Sequence, residues 1–402
     1  MISILFNPLI PLLVYLGISV TTLHHEVDFL VSLHFEFFIF CWSLLSLVIY
    51  FYKCKYEFLI FLKKCGPVIS FCLILIFLPI VSSISNNDYL NILSDGEYRT
   101  LAQALILLPA LFYFLQQDKY RLKILNAVLV FYVIFGFYFL FRFYILHEAR
   151  AFDSRPTLKI RHGDPNFLCL FFSMMTPLAM QMLYINLKKK YLAILYGAVS
   201  LFFIICALIT ESRMGLISLI LGLVLLFVLI PMSQTKKAST LLTILISLGC
   251  LFALKPDLTA RFSSINDKSS ADRVLTYENG IKTFAQSPLF GVGMHLAKNT
   301  YFENSEYPLF QSDTKRLEIH NTYLNILSEL GTIGLLTFFV FMLWLFKTIN
   351  LLEKPNRYFL ISSYIIMSLS MFTIGVSYKD LIYYQLVLLA GLASAKDAQS
   401  VL

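Results

Sequence analysis

Four short polar clusters interrupt an otherwise apolar chain, and their residue types suit two tasks: holding an anion and activating a hydroxyl. The first is Thr210-Glu211-Ser212-Arg213-Met214-Gly215, the single break in the apolar stretch from Tyr191 to Met232. An arginine at mid-membrane costs roughly 2.5–3.5 kcal/mol on insertion scales. The chain therefore does better to turn here, with Arg213 at the outer boundary facing protein or a water-filled cavity. Two readings fit: a snorkelling interfacial arginine, or an anion-binding guanidinium at a helix start, where free N–H groups also favour negative charge. Glu211 either orients Arg213 or is its structural ion pair. The second cluster, Arg161-His162-Gly163-Asp164-Pro165-Asn166, stands directly before another apolar run. Asp-Pro-Asn is turn and cap chemistry. It requires neither Arg161 nor His162, which are candidates for binding. Arg99, just before a further run, is open to the same two readings as Arg213.

The third cluster joins Arg273 to Ser287-Pro288-Leu289-Phe290-Gly291-Val292-Gly293. A Gly-x-Gly turn invites a phosphate-loop reading. The spacing fits neither the dinucleotide fingerprint nor a P-loop, and no Lys-Ser/Thr follows. The fourth is His320-Asn321, then Glu329-Leu330-Gly331 and Gly334. A histidine at a helix start caps the helix or catalyses, and titration near neutrality is what suits it to general-base work. No second His or Cys lies at ligand spacing from His320, and His295 is the other histidine in that segment. No metal and no other cofactor is expected.

The elements that must carry these clusters follow from composition. The 402 residues are 58% hydrophobic and 14% charged, against about 45–50% and 25% in soluble domains. One soluble core would leave too few charges to cover it. With 38 Phe and 23 Tyr the chain is not disordered, and its length excludes a small disulfide scaffold. An all-α polytopic membrane protein remains. Runs long enough to cross a bilayer, about 20 residues each, fall near 3–21, 30–52, 66–84, 100–116, 124–146, 166–186, 191–210, 215–232, 240–254, 323–346, 358–377 and 381–395. The expected fold is thus about twelve transmembrane helices. Residues 1–255 hold the first nine, 256–322 form one large loop with short helices, and 323–402 hold the last three and a tail. The first run lacks a basic start and a small-residue cleavage site, so it reads as a span and not a signal peptide.

Lys/Arg bias orients the spans. One set of loops holds Lys53, Lys55, Lys63, Lys64, Lys119, Arg121, Lys123, Lys188 to Lys190, Lys236, Lys237, Lys347, Lys354, Arg357 and Lys396. Against these stand Glu57, Asp118, Glu353 and Asp397. That side is cytoplasmic and takes both termini. The net charge of +8 is therefore a topology signal, not a nucleic-acid-binding face. All 7 histidines fall on the outer side. Five cysteines lie inside apolar runs, Cys54 and Cys65 flank a lysine-rich loop, and no structural disulfide is expected. The outer connections longer than a turn are 147–165 and 256–322. Within the second, Val274, Tyr277, Ile281 and Phe284 recur at helical spacing, so 272–286 reads as an amphipathic helix. Ser287-Pro288 ends it, and Gly291-Val292-Gly293 makes a tight turn.

The order of the four clusters is more specific than any one of them, and it resembles the O-antigen ligase family. That pattern has a Gly-x-x-Asn loop before a span and a Ser-Arg-x-Gly turn between two spans. An Arg-bearing helix then runs into a Pro-x-x-Gly-x-Gly turn, and His-Asn precedes a Glu-Leu-Gly-x-x-Gly span. Gly163 to Asn166, Ser212 to Gly215, Arg273 through Gly293, and His320-Asn321 through Gly334 match in that order. The likeness covers about 161–346; the rest agrees only in hydropathy and span number. The resemblance implies a GT-C-like, metal-independent glycosyltransferase at the periplasmic face of the bacterial inner membrane. Its donor would be a glycan on undecaprenyl pyrophosphate. The acceptor would be a lipid A-core sugar in a ligase, another lipid-linked repeat unit in a polymerase, or a protein hydroxyl. Under that reading Arg213 and Arg273 clamp the pyrophosphate, with Arg161 third, and His320 is the general base. His162, Arg99, Glu211 and Asn321 stand on the substrate side.

Two other classes compete. A secondary transporter or flippase would also have about twelve spans, but it should show two similar halves with interrupted helices at matching positions. No such repeat is visible. A non-catalytic membrane partner leaves the ordered polar clusters unexplained.

Overall fold

The computed structural model describes residues 7–21, 28–85, 92, 94–146, 164–231, 268–296, 319–375 and 379–394. Among them all regular structure is helical: α1 Leu9–Thr21, α2 Asp28–Ser32, α3 Phe35–Lys53, α4 Lys55–Ser85, α5 Gly96–Leu115, α6 Asp118–Tyr144 and α7 Pro165–Ile185. Then follow α8 Lys190–Ile209, α9 Arg213–Leu229, α10 Lys268–Gln286, α11 Thr322–Asn350, α12 Asn356–Ser370 and α13 Asp380–Ala393. By length and composition, α3 to α8 and α11 are long and apolar enough to cross a membrane, and α1, α9 and α13 are shorter apolar helices. The chain is a polytopic α-helical membrane protein.

Each expected span has a helix at its place except 240–254, which lies outside the described residues together with most of 147–165 and of 256–322. The lysine-rich stretch before the third span was expected to be a loop, and this is corrected. Helix α4 starts at Lys55 and continues through Lys63, Lys64 and Pro67. Its 31 residues run about 46 Å, more than the ~30 Å hydrocarbon layer. The first turns therefore stand in the polar headgroup region, where lysine stems reach water without breaking the helix. The span at 323–346 is not one regular helix either, because α11 breaks at Gly331 (φ 67°, ψ −168°).

The chain forms two compact units interleaved in sequence. One comprises 1–131, 276–349 and 375–401; the other comprises 132–275 and 350–374. In the first unit α5 packs on α4 and α13, and α1 packs on α3. Phe71 of α4 stacks on Phe341 of α11 at 3.9 Å between centroids. In the second unit α7 is the central helix, with every residue from Pro165 to Ala179 buried. Helices α8, α9 and α12 pack around it. Ser362 and Ser363 of α12 donate to Gly222 O of α9 (2.8 Å) and Met174 O of α7 (2.7 Å). Such serine bonds are a usual means of joining helices in lipid, where apolar burial gives little drive.

Candidate functional site

In the second unit, two of the clusters noted in the sequence meet. Asp164 caps α7, its Oδ1 accepting from Asn166 N (2.8 Å) and Phe167 N (3.3 Å), and Pro165 occupies the first turn. Ser212 caps α9, its Oγ accepting from Gly215 N (3.3 Å). The same Ser212 hydroxyl donates to Asn166 Oδ1 at 2.8 Å. Both partners are buried, so this bond fixes the start of α9 against the start of α7. Gly215 is required at the crossing, because a Cβ there would meet Cys169 Cβ at 2.8 Å. Glu211 takes a left-handed conformation (φ 55°) to make the turn. Arg213 is the first residue of α9. It stands half-buried at a helix N-terminus, where unsatisfied N–H groups add to its positive charge.

In the first unit, the Pro-x-x-Gly-x-Gly turn and the Glu-Leu-Gly break form one device. Val292 N and Gly293 N donate to Ser328 O and Glu329 O, both at 3.0 Å. Across the break, Thr332 N and Ile333 N donate to Pro288 O (2.9 Å) and Leu289 O (3.3 Å). The turn thus supplies donors to the end of one half of α11 and acceptors to the start of the other. In lipid, such broken backbone must be satisfied by protein. Ser82 of α4 adds a third strand of support, its Oγ lying 3.0 Å from Gly291 O and 3.3 Å from Glu329 O. Gly291 (φ 72°) and Gly331 (φ 67°) have left-handed backbones. A Cβ on either would overlap the other segment's main chain, 2.6 Å from Gly291 N in the case of Gly331. The glycines that resembled a phosphate loop are thus a helix clasp.

Immediately before α11, Asn321 is the cap: its Oδ1 accepts from Leu324 N at 3.0 Å. His320 is therefore one residue outside the cap, and the helix start does not depend on its imidazole. Tyr277 of α10 donates to His320 O (3.1 Å). Ile319 is buried and closely packed, since a Cβ at Gly280 would lie 3.1 Å from its side chain and a Cβ at Gly375 would overlap its carbonyl oxygen. His320 is half-buried on this fixed backbone.

Of the residues singled out from the sequence, Arg213, Glu211 and Arg273 stand on the second unit, and His320, Asn321 and Arg99 on the first. Arg273 is half-buried on α10, one turn before Tyr277. Arg161 and His162 lie outside the described residues. Among the described residues no group of three or more His, Cys, Asp or Glu is placed to hold a metal ion.

Sequence reasoning missed three contributors. Ser82, a hydroxyl deep in an apolar run, was legible as a polar residue needing a partner, but the partner is more than two hundred residues away. Tyr277 was read only as part of an apolar stripe. Glu97 was not singled out at all: its carboxylate takes His295 Nε2 at 3.3 Å and Lys379 Nζ at 3.7 Å, tying α5 to the segment after the clasp and to the start of α13.

Comparison with known proteins bears on the same stretch. No curated protein matches the chain. Residues 198–339 match the family model described as O-Antigen ligase. The matched segment runs from within α8 to within α11. It contains Arg213 with its Ser212 cap, Arg273, the clasp and His320, while the Asp164–Asn166 cap precedes it. Over this segment, about a third of the chain, the protein is similar to the O-antigen ligase family.

Proposed function

We propose that the protein is an O-antigen ligase-type glycosyltransferase, moving a glycan from undecaprenyl pyrophosphate to a sugar hydroxyl of lipid A-core. The reaction takes place at the periplasmic face of the inner membrane, with both termini cytoplasmic. The observation that carries this reading is a division of labour within the family segment. Ser212 and Asn321 cap their helices and the glycines form the clasp. Arg213 and His320 stand directly beside these caps, on main chain that the Ser212 and Asn321 caps and the Tyr277 hydroxyl fix.

The chemistry asks for those two side-chain types. The acceptor oxygen attacks the anomeric carbon, the bond from that carbon to the phosphate oxygen breaks, and undecaprenyl pyrophosphate leaves with the electron pair. Arg213 and Arg273 pair with its phosphate oxygens, where a planar fork holds two at once. They stabilise the charge that grows on the leaving group without a divalent metal. Arg161 is the third cation. His320 takes the proton from the attacking hydroxyl. Glu211 orients Arg213, and His162 and Asn321 stand on the substrate side.

A lipopolysaccharide gel of a strain lacking this gene tests the assignment. Loss of all long chains from lipid A-core supports ligase activity. A single repeat unit left on core makes the protein a repeat-unit polymerase of the same family. An unchanged ladder rejects both.

A further inference from the structure

A cavity of about 470 Å³ opens on the first unit, between the segment leading into α3 and the first two turns of α5. One wall is apolar, made by Leu30, Val31, Phe35 and Phe37. Val31 and Phe37 are exposed, as are the neighbouring Phe29 and Phe38. On a membrane protein such exposed aromatics face lipid, so the cavity is open to the bilayer. The opposite wall is polar, with Arg99, Thr100 and Gln103 from α5, and Glu36 completes it from the first turn of α3.

Arg99 decides what this cavity can take. Among the described residues it has no ion-pair partner. The two acids nearest in sequence are engaged elsewhere. Asp95 accepts from Tyr98 N at 2.8 Å, and Glu97 holds His295 and Lys379. The guanidinium is exposed at the end of a span that is otherwise mostly buried. The first turn of α3 faces the same space, and its cap residue His34 makes no side-chain cap hydrogen bond, which leaves helix N–H groups to favour an anion. Against these, Glu36 places one negative charge in the lining. A purely anionic ligand would meet it unfavourably, and a purely cationic one would meet Arg99.

We propose that this cavity binds a membrane phospholipid whose headgroup carries both a phosphodiester and a primary ammonium. The phosphate pairs with Arg99 and accepts from the Gln103 side-chain amide, while the Thr100 hydroxyl donates to Gly96 O at 3.1 Å. The ammonium donates to the Glu36 carboxylate, whose several lone pairs allow more than one donor. The acyl chains leave along Val31 and Phe37. The proposal does not rest on the proposed glycosyl transfer.

Native mass spectrometry of the purified full-length chain, titrated with lipids of identical acyl chains, tests the assignment without any glycan present. Phosphatidylethanolamine should bind about tenfold more tightly than phosphatidylcholine, whose ammonium has no proton to donate, and than phosphatidylglycerol, which has no cation. Arg99→Gln should weaken phosphatidylethanolamine binding by about tenfold or more, and Glu36→Gln should bring phosphatidylethanolamine and phosphatidylcholine within about twofold. Gln103→Phe fills the cavity without touching either charge and should lower binding of all three lipids. Thermal midpoints near wild type confirm that each variant is folded. Equal binding of the three lipids by the wild type, or unchanged binding in folded Arg99→Gln or folded Gln103→Phe, overturns the proposal.

Discussion

Replacing Gly331 by alanine puts the clasp to the test, and the structure sets the size of the effect. At φ 67° and ψ −168° the residue occupies backbone space that is essentially reserved for glycine, costing a side-chain-bearing residue about 1–3 kcal/mol. The added Cβ also overlaps the Leu289 carbonyl and would lie 2.6 Å from Gly291 N. The turn must therefore move off the break, and the bonds from Val292, Gly293, Thr332 and Ile333 cannot all survive. Losing two of them at about 1 kcal/mol each brings the total to about 3–5 kcal/mol. For a chain of this length each kcal/mol is worth roughly 1.2 °C, so the thermal midpoint in detergent should fall by about 4–6 °C. Gly197→Ala is the control. A Cβ there meets nothing within 4 Å, and alanine is the better helix former, so its midpoint should match wild type or rise slightly. If Gly331→Ala melts together with Gly197→Ala, the clasp does not hold α11, and the structural reading of both glycine motifs fails.

The other expectations concern the proposed chemistry and its setting. Arg213→Lys should lose nearly as much transfer activity as Arg213→Ala at normal membrane abundance, because lysine keeps the charge but not the two-pronged geometry; restoration of most activity by lysine would make Arg213 a generic charge. Asn321→Ala should cost about 0.5–2 kcal/mol of stability through the lost cap, while His320→Ala should leave the melting midpoint in place; the opposite ranking would assign the cap to the histidine. Alkaline phosphatase fused after Lys190 should be inactive, and fused after Asn304 active. Activity at the first site or silence at the second would invert the orientation.

The spans were legible because lipid asks for little more than length and apolarity, and α5, α7 and α8 follow the expected limits within a few residues. The amphipathic stripe at 274–284 likewise located α10, which begins at Lys268, four residues before the expected 272, because the polar Lys268-Ser269-Ser270 carries no apolar period to read. What hydropathy could not reveal was the break in α11. Gly331 sits in a run whose apolar count is undisturbed, and the residues that satisfy its broken ends lie at 288–293 and at Ser82. The start of α4 was misplaced for a related reason: Lys63 and Lys64 look like a loop on a hydropathy scale, although a helix continues unharmed through headgroups. In the candidate site, residue type and order pointed to Ser212-Arg213 and His320-Asn321, but not to how each pair divides its work. The division became visible only when Ser212 was found on Asn166 and Asn321 on Leu324 N, for a sequence cannot tell a capping side chain from its neighbour.

The central claim is that His320 takes the proton from the acceptor hydroxyl, and the rate of glycan transfer by purified His320→Asn tests it most directly. Asparagine cannot accept a proton at neutral pH, and Asn321 still caps α11, so the variant should fold and bind lipid-linked donor as the wild type does. Its transfer rate should fall by about 10²–10⁴-fold. A folded His320→Asn protein that transfers at near the wild-type rate would contradict the account, leaving the acceptor to be activated by another group such as Glu211 or His162.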